Sequence, residues 1–357
     1  MFFENIYNMR VSLFVQNNQK NHMLNAYVVA DILRKNNIKI NKCFVSDEVE
    51  MPKIFEERIG CEVIKIKTPL LYKRLNYKNF FKCFFINLLK SKKIFKSVYK
   101  INQLTKDDDY ILNFYEPINF YYQISKFKNK TKVISISSDY WYLHEKSVTP
   151  KMNYFNKFLY YLVNRWTSFR SYKRGALSFI RGKDTEDILV LPPLIDRNFL
   201  KLLPESNDYF CVLLNDKEMI DYFLDIIEEN EDEKFYLFTS LNINHELPNL
   251  EIIDLDYDLF LKYLTYSKGY ISTTNFYLIS LAYWMGKPTF VVPDKSDYSE
   301  LCNFITYINN EIAIGNKKEI FFDLFKRYYE FFGTEETNKD FKLWVLQTEK
   351  KILKLLT

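Results

Sequence analysis

The sequence predicts an α/β protein made of two Rossmann-like units, each a parallel sheet wrapped by helices. Three observations predict it. Short apolar strands alternate with amphipathic helices from Arg10 onward, the order of a parallel sheet with helical crossovers. A strand then runs into the paired prolines Pro192-Pro193, after which the alternation begins afresh. A chain of 357 residues, 48% of them apolar, exceeds one ordinary domain and suits two with real cores. With 7 Gly, 10 Pro and no low-complexity run, neither disorder nor a repeat architecture is indicated.

Arg10–Val15 reads as the first strand. Asn17–Asn25 reads as a polar loop, and Met23–Arg34 as a helix with Leu24, Tyr27, Val28 and Ile32 on one face. Ile38–Val45 is a strand, Pro52–Ile59 a short helix and Cys61–Ile66 a strand. Asp107–Phe114 is a loop and then a strand, followed by Tyr115-Glu116-Pro117, where Pro117 can start a helix. Lys132–Ser137 is a further buried strand, followed by Ser138-Asp139-Tyr140-Trp141. Asp107-Asp108-Asp109 precedes its strand and reads as a solvated loop rather than a metal motif.

Leu189–Arg197 is the predicted hinge, stiffened by its prolines. Beyond it Tyr209–Leu214, Phe235–Thr239 and Leu250–Leu255 are strands, with helices over Asp216–Glu228 and Leu259–Tyr266. Tyr270-Ile271 closes a strand, and Ser272-Thr273-Thr274-Asn275 is a polar turn able to cap the apolar helix Phe276–Met285. Gly286 ends that helix, Pro288 blocks its continuation, and Thr289–Val292 is an all-apolar strand stopped by Pro293. Two helices close the sequence, Lys317–Phe332 and Thr337–Leu356.

The stretch from Ser267 to Phe304 resembles the donor motif of GT-B glycosyltransferases, in the branch of the peptidoglycan lipid-intermediate N-acetylglucosaminyltransferase and its archaeal relatives. The frame Ala282, Gly286, Lys287, Pro288, Pro293 and Asn303 is kept. Asn275 stands at the family's Gly, Leu281 at the Glu that holds the donor ribose, and Ser299-Glu300 at its Gln-rich pair. His22 matches the His of the family's N-terminal turn, although Asn21 and Asn25 replace its Gly and Arg. Glu116-Pro117 and the Pro192-Pro193 hinge also match. The resemblance covers roughly residues 10–315. It implies two Rossmann-like domains facing across a cleft: an acceptor domain at 10–188, a hinge at 189–204, a nucleotide-sugar domain at 205–335, and a helix over 336–357 packing back toward the first domain.

Transfer from a nucleoside diphosphate sugar requires stabilising the leaving diphosphate, deprotonating the acceptor hydroxyl and holding both partners close. Thr273, Thr274 and Asn275 sit where hydroxyls and an amide can meet phosphate oxygens, or where they merely cap a helix. Leucine cannot replace the ribose-binding Glu, so either a neighbour, Ser280 or Glu300, holds the ribose, with Ser299 and Asn303 on the same stretch, or the donor differs, or donor binding is lost. A His at a helix N-terminus has its cationic form disfavoured and could accept a proton, which makes His22 the candidate base; Glu116, at a strand's C-terminal end, is a second catalytic candidate. Each has a bland alternative, a surface-loop His and a first-turn Glu. The resemblance implies no essential metal cofactor. The expected function is transfer of a sugar from a nucleotide-sugar donor to a lipid-linked or cell-surface glycan acceptor. The alternative is a catalytically degenerate protein that binds a nucleotide sugar or a partner enzyme.

The formal net charge is +5, but Lys65–Lys100 carries eleven Lys/Arg and Lys151–Arg174 six, neither with any Asp or Glu. Aromatics interleave with these cations at Lys73, Arg74, Lys78, Lys82, Arg165 and Trp166. That pattern suits an anionic membrane surface on the acceptor side. A helix with an aromatic core face and solvated lysines would give the same pattern. No nucleic-acid motif accompanies it. The five Cys are scattered and form no C-x-x-C, and the three His lack metal spacing, so free buried thiols are expected and a structural zinc is not. The N-terminus lacks the pattern of a signal peptide and no apolar run reaches the ~20 residues of a membrane span. The expected location is the cytoplasm, on the inner face of the plasma membrane if the basic segments bind there.

Overall fold

The computed structural model describes residues 9–18, 20–71, 77–126, 129–149, 154–273, 275–292 and 335–357. The chain divides into two units, one of 1–196 with 346–357 and one of 197–345. The strands of the first are β1 Arg10–Val15, β2 Lys39–Ser46, β3 Glu62–Ile66, β4 Tyr110–Phe114, β5 Lys132–Ser137, β6 Lys173–Leu177 and β7 Ile188–Leu191. They form one sheet in the order β3-β2-β1-β4-β5-β6-β7, every pair parallel. Most of these strands are buried on both faces, as continuous apolar runs require. Strand order reverses between β1 and β4, which lie side by side with Phe14 opposite Asn113. Phe14, Phe44, Ile111 and Val133 form the core beneath α3 (Tyr77–Leu104), a long helix whose Ile94, Val98 and Ile101 face them.

The second unit holds β8 Phe210–Leu213, β9 Phe235–Thr239, β10 Leu250–Asp254, β11 Gly269–Thr273 and β12 Thr289–Val292. Their order is β10-β9-β8-β11-β12, again all parallel. Phe210, Val212, Phe235, Leu237 and Ile271 make the core, packed with Ile220, Phe223 and Ile227 of the helix Lys217–Glu229. Asp216 caps that helix by accepting from Met219 N at 3.3 Å.

Several boundaries differ from the sequence reading. The first helix, α1 (Lys20–Lys35), begins at Lys20 rather than Met23, because a polar first turn adds to a helix without joining its apolar stripe. The helix expected at Leu259 begins at Tyr257, with Asp256 as its cap at 2.8 Å from Leu259 N. Ser272 and Thr273 belong to β11, paired with Val291 and Val292, so the polar turn is shorter than four residues. The expected helix over 337–356 is two helices, Glu335–Val345 and Thr348–Leu355, because its halves pack on different partners. Phe341 of the earlier one meets Tyr283 in the second unit, and the later one packs on β7 and α1. The Asp107–Asp109 segment is not simply solvated. Asp108 is buried and accepts from Ser12 Oγ at 2.6 Å and Asn41 Nδ2 at 2.9 Å, pinning β1 and β2 at the strands' amino edge. The predicted helix Lys317–Phe332 lies outside the described residues.

Candidate functional site

The carboxyl edge of the seven-stranded sheet is where its strand order reverses, the place where open α/β sheets take ligands. His22 lies in the first turn of α1, which follows β1, and is 1% exposed. Tyr115 and Glu116 follow β4. The His22 and Tyr115 rings stack at 5.0 Å with an interplanar angle of 19°. The two segments that carried the sequence-level candidates for catalysis therefore meet through Tyr115.

Tyr115 has φ +62°, the left-handed region that bulky residues avoid. Such a residue costs about 1–3 kcal/mol and must be held by its surroundings. Here the phenol donates to Asn164 Oδ1 at 2.9 Å, and the next backbone N–H, that of Glu116, donates to Asn113 Oδ1 at 2.9 Å. Asn113 in turn donates to Ser135 Oγ at 3.1 Å and to Thr167 O at 2.8 Å. A buried polar network thus turns the chain sharply at the end of β4 and fixes the ring against His22.

Glu116 is 2% exposed. Burial pushes its carboxyl up to about 8, although hydrogen bonds from Ile118 N and the Thr68 hydroxyl pull the other way. At neutral pH it is mostly a neutral acid that can donate a hydrogen bond. One residue beyond β1, Gln16 is buried and its Oε1 has no hydrogen-bond partner among the described residues. Leaving a buried acceptor unmet costs about 1–3 kcal/mol, so this atom is suited to a ligand's proton. Tyr115, Asn164 and Gln16 were not candidates from the sequence. Periodicity says nothing of a left-handed turn or of a contact between distant segments. Tyr140 and Trp141, which follow β5 at the same edge, are fully buried; Trp141 stacks on His144 at 4.5 Å and belongs to the core.

In the second unit the strand order reverses between β8 and β11. Thr273 ends β11 and is half-buried. Asn275 caps the helix α9 (Phe276–Trp284), its Oδ1 accepting from Leu278 N at 3.1 Å. Opposite, after β8, Asn215 Oδ1 accepts from Ser240 N at 2.7 Å and Ser240 Oγ at 3.0 Å. Thr274, Ser299, Glu300 and Asn303 lie outside the described residues. Ser280 is fully buried and its hydroxyl donates to Phe276 O at 2.6 Å, so its proton is spent inside the helix rather than on a ribose. Leu281 is likewise fully buried.

Gly286 has φ +72° and closes α9 with paired bonds, Lys287 N to Ala282 O at 2.9 Å and Gly286 N to Tyr283 O at 3.0 Å. The Lys287 ammonium is buried against the carbonyls of Ser267, at 2.6 Å, and Glu205. Burial lowers its pKa to about 8. Lys287 therefore ties the segments flanking β8 and β11 together.

Of the basic residues, Lys73 and Arg74 lie outside the described residues, and Lys78 opens α3. Lys82 is exposed on α3. Arg165, exposed on α5 (Tyr154–Thr167), donates through Nε to Tyr161 OH at 3.2 Å. Trp166 is half-buried and meets Phe120 edge-on at 6.4 Å, so it packs α5 on the helix α4 (Ile118–Ser125). The four described cysteines are free thiols. No described group of three His, Cys, Asp or Glu could hold a metal, and no described helix is long and apolar enough to cross a membrane.

No protein-family model matches the sequence, and no curated protein does. Solved structures do match in fold. The glycotransferase of kitacinnamycin superposes with a TM-score of 0.64 at 8% identity, over 98% of this chain and 97% of that one. MurG of Acinetobacter baumannii gives 0.59 at 9% identity over 98% and 99%. LpCGTa in complex with UDP gives 0.64 at 10% identity over 98% and 99%. The chain has the GT-B fold, two parallel α/β units with flanking helices. In architecture it resembles MurG among the glycosyltransferases of that fold.

Proposed function

We propose that this protein is a nucleotide-sugar-dependent glycosyltransferase, a hexosyltransferase in the first instance. Its fold is that of enzymes solved with UDP and with thymidine diphosphate, the latter in a rhamnosyltransferase. The observation that carries the reading is the His22–Tyr115–Glu116 cluster, buried at the strand-order reversal of the first unit. In this reading His22 takes the proton of the acceptor hydroxyl as the new glycosidic bond forms. Glu116, held neutral by burial, orients that hydroxyl or the sugar by donating a hydrogen bond. The donor diphosphate is met in the second unit by Thr273, Thr274 and the amino end of α9 at Asn275, with Ser299, Glu300 and Asn303 completing that side and no essential metal. The acceptor is a lipid-linked or cell-surface glycan precursor met at an anionic membrane surface.

A second reading, a nucleotide-sugar-binding or partner subunit without turnover, is favoured by Leu281. It fills a core position where a ribose-binding carboxylate is otherwise expected, and Ser280 does not compensate. A panel of UDP-, GDP- and TDP-sugars separates the readings. Transfer or slow donor hydrolysis supports the enzyme; binding seen by thermal shift without product supports the second. His22→Ala should lower turnover by at least about a hundredfold, the usual worth of a general base, while donor binding stays intact. Full residual activity would remove its assigned role.

A further inference from the structure

His22 is 1% exposed and stands in the first turn of α1. Burial and the amino end of the helix both disfavour a positive charge on its imidazole. In taking a proton from an acceptor hydroxyl it must carry that charge all the same. Glu116 does little to meet it, because its carboxyl is mostly protonated at neutral pH. The imidazole does face the ring of Tyr115, 5.0 Å away and 19° from parallel. A cation over a ring face within about 6 Å of its centroid is attracted by the ring quadrupole, more strongly where water is excluded.

The turn alone does not require a ring there. At φ +62° a glycine or an asparagine makes the same bend with less strain. A tyrosine in that place breaks the local preference and is held against it. Its hydroxyl donates to Asn164 Oδ1 at 2.9 Å, and its ring meets that of Tyr140 at 5.6 Å. Tyr140 belongs to the short 3₁₀ helix Asp139–Leu143, is fully buried, and donates through its hydroxyl to Thr167 Oγ1 at 3.4 Å. Three rings from three separate segments thus form one column that ends on His22.

We infer that Tyr115 is the positioning residue of His22: its ring face orients the imidazole and stabilises the imidazolium formed when the acceptor proton is taken. The source of that proton rests on the transferase reading; the preference of the stack for the cationic imidazole does not. Other charged groups around α1 act elsewhere on it. Lys20 is exposed at its start, Arg58 of the helix Lys53–Ile59 lies over Tyr27 at 5.3 Å, and Glu349 reaches Lys35 at 2.7 Å. Cys43 of β2 stays a thiol, because burial pushes its pKa well up. Asp139, beside Tyr140, accepts from Ser137 Oγ at 2.7 Å.

The test is imidazole NMR of the full chain, labelled at histidine, across pH. The chain has three histidines, and the signal lost in His22→Gln is that of His22. Tyr115→Asn keeps a residue suited to the left-handed backbone and removes the ring, so it should lower the proton affinity of His22 about tenfold. Tyr115→Phe keeps the ring face and should stay within about twofold of the parent. His144, stacked on Trp141 in the core, should respond in neither variant, which separates a local change from loss of the fold. Should Tyr115→Asn not fold, Asn164→Ala loosens the same ring by removing its hydrogen bond and should lower the affinity in the same direction. A proton affinity unchanged or raised without the ring would overturn the inference, because a ring that only shields the imidazole from water gives that result. So would a Phe variant that behaves like the Asn variant. On a soluble acceptor, Tyr115→Asn should lower kcat with KM unchanged and move the acid limb of the kcat profile to lower pH, in step with the NMR titration. The titration needs no sugar donor. A parent without turnover on any nucleotide sugar would end the transferase reading and still leave the stack decided by its own measurement.

Discussion

At the scale of single residues, burial sets the chemistry of the candidate site. A glutamate reads as a negative charge in sequence; Glu116 in its fold is mostly protonated at neutral pH. The unfolded carboxyl titrates at about 4.3, while the folded one titrates at about 8. Between those values the folded chain holds the extra proton, so its stability falls as pH rises through the window and levels above it. Glu116→Gln should flatten that part of the profile, and the variant should match or exceed the parent in stability at about pH 9. Urea unfolding across the range measures it, and an unchanged slope would contradict the assignment. Glu116 and His22 were legible as candidates because each stands beside a strand or helix end. Their link through Tyr115 was not, since a left-handed backbone in a tyrosine leaves no trace in local pattern.

At the scale of elements, buried parallel strands were the most legible feature. Lys132–Ser137, Phe235–Thr239 and Thr289–Val292 have the limits their apolar runs indicate. Helix starts were less so, because polar first turns look like loops. In α3 the outward phenylalanines look like core residues until exposure is known. Asn275 shows how a cap and a ligand role can be separated. Asn275→Ala removes the bond to Leu278 N and should cost about 1 kcal/mol of stability. Asn275→Asp keeps the cap and should leave stability near the parent, while its charge repels a diphosphate and weakens donor binding. Chemical denaturation with donor titration distinguishes the two, and a stable Asp variant with undiminished donor affinity would leave Asn275 a cap only.

At the scale of the whole molecule, residues 346–357 are part of the first unit. Ile352, Leu355 and Leu356 are buried there. Lys351 and Lys354 reach Asp184 at 3.2 and 2.9 Å, and Lys35 reaches Glu349 at 2.7 Å. Deleting 346–357 should therefore expose the core beside β7 and lower the stability of the first unit by several kcal/mol, at about 1.5–3 kcal/mol for each large apolar side chain lost. The second unit should keep its own transition. Calorimetry showing both transitions unmoved would refute this.

The break at Leu346-Gln347 also sets an order of events during synthesis. The second unit is one unbroken stretch of sequence, so every residue it needs has left the ribosome before the first unit receives its last helix. The seven-stranded sheet must wait with one flank open, and its closing piece arrives only after the intervening unit has been made.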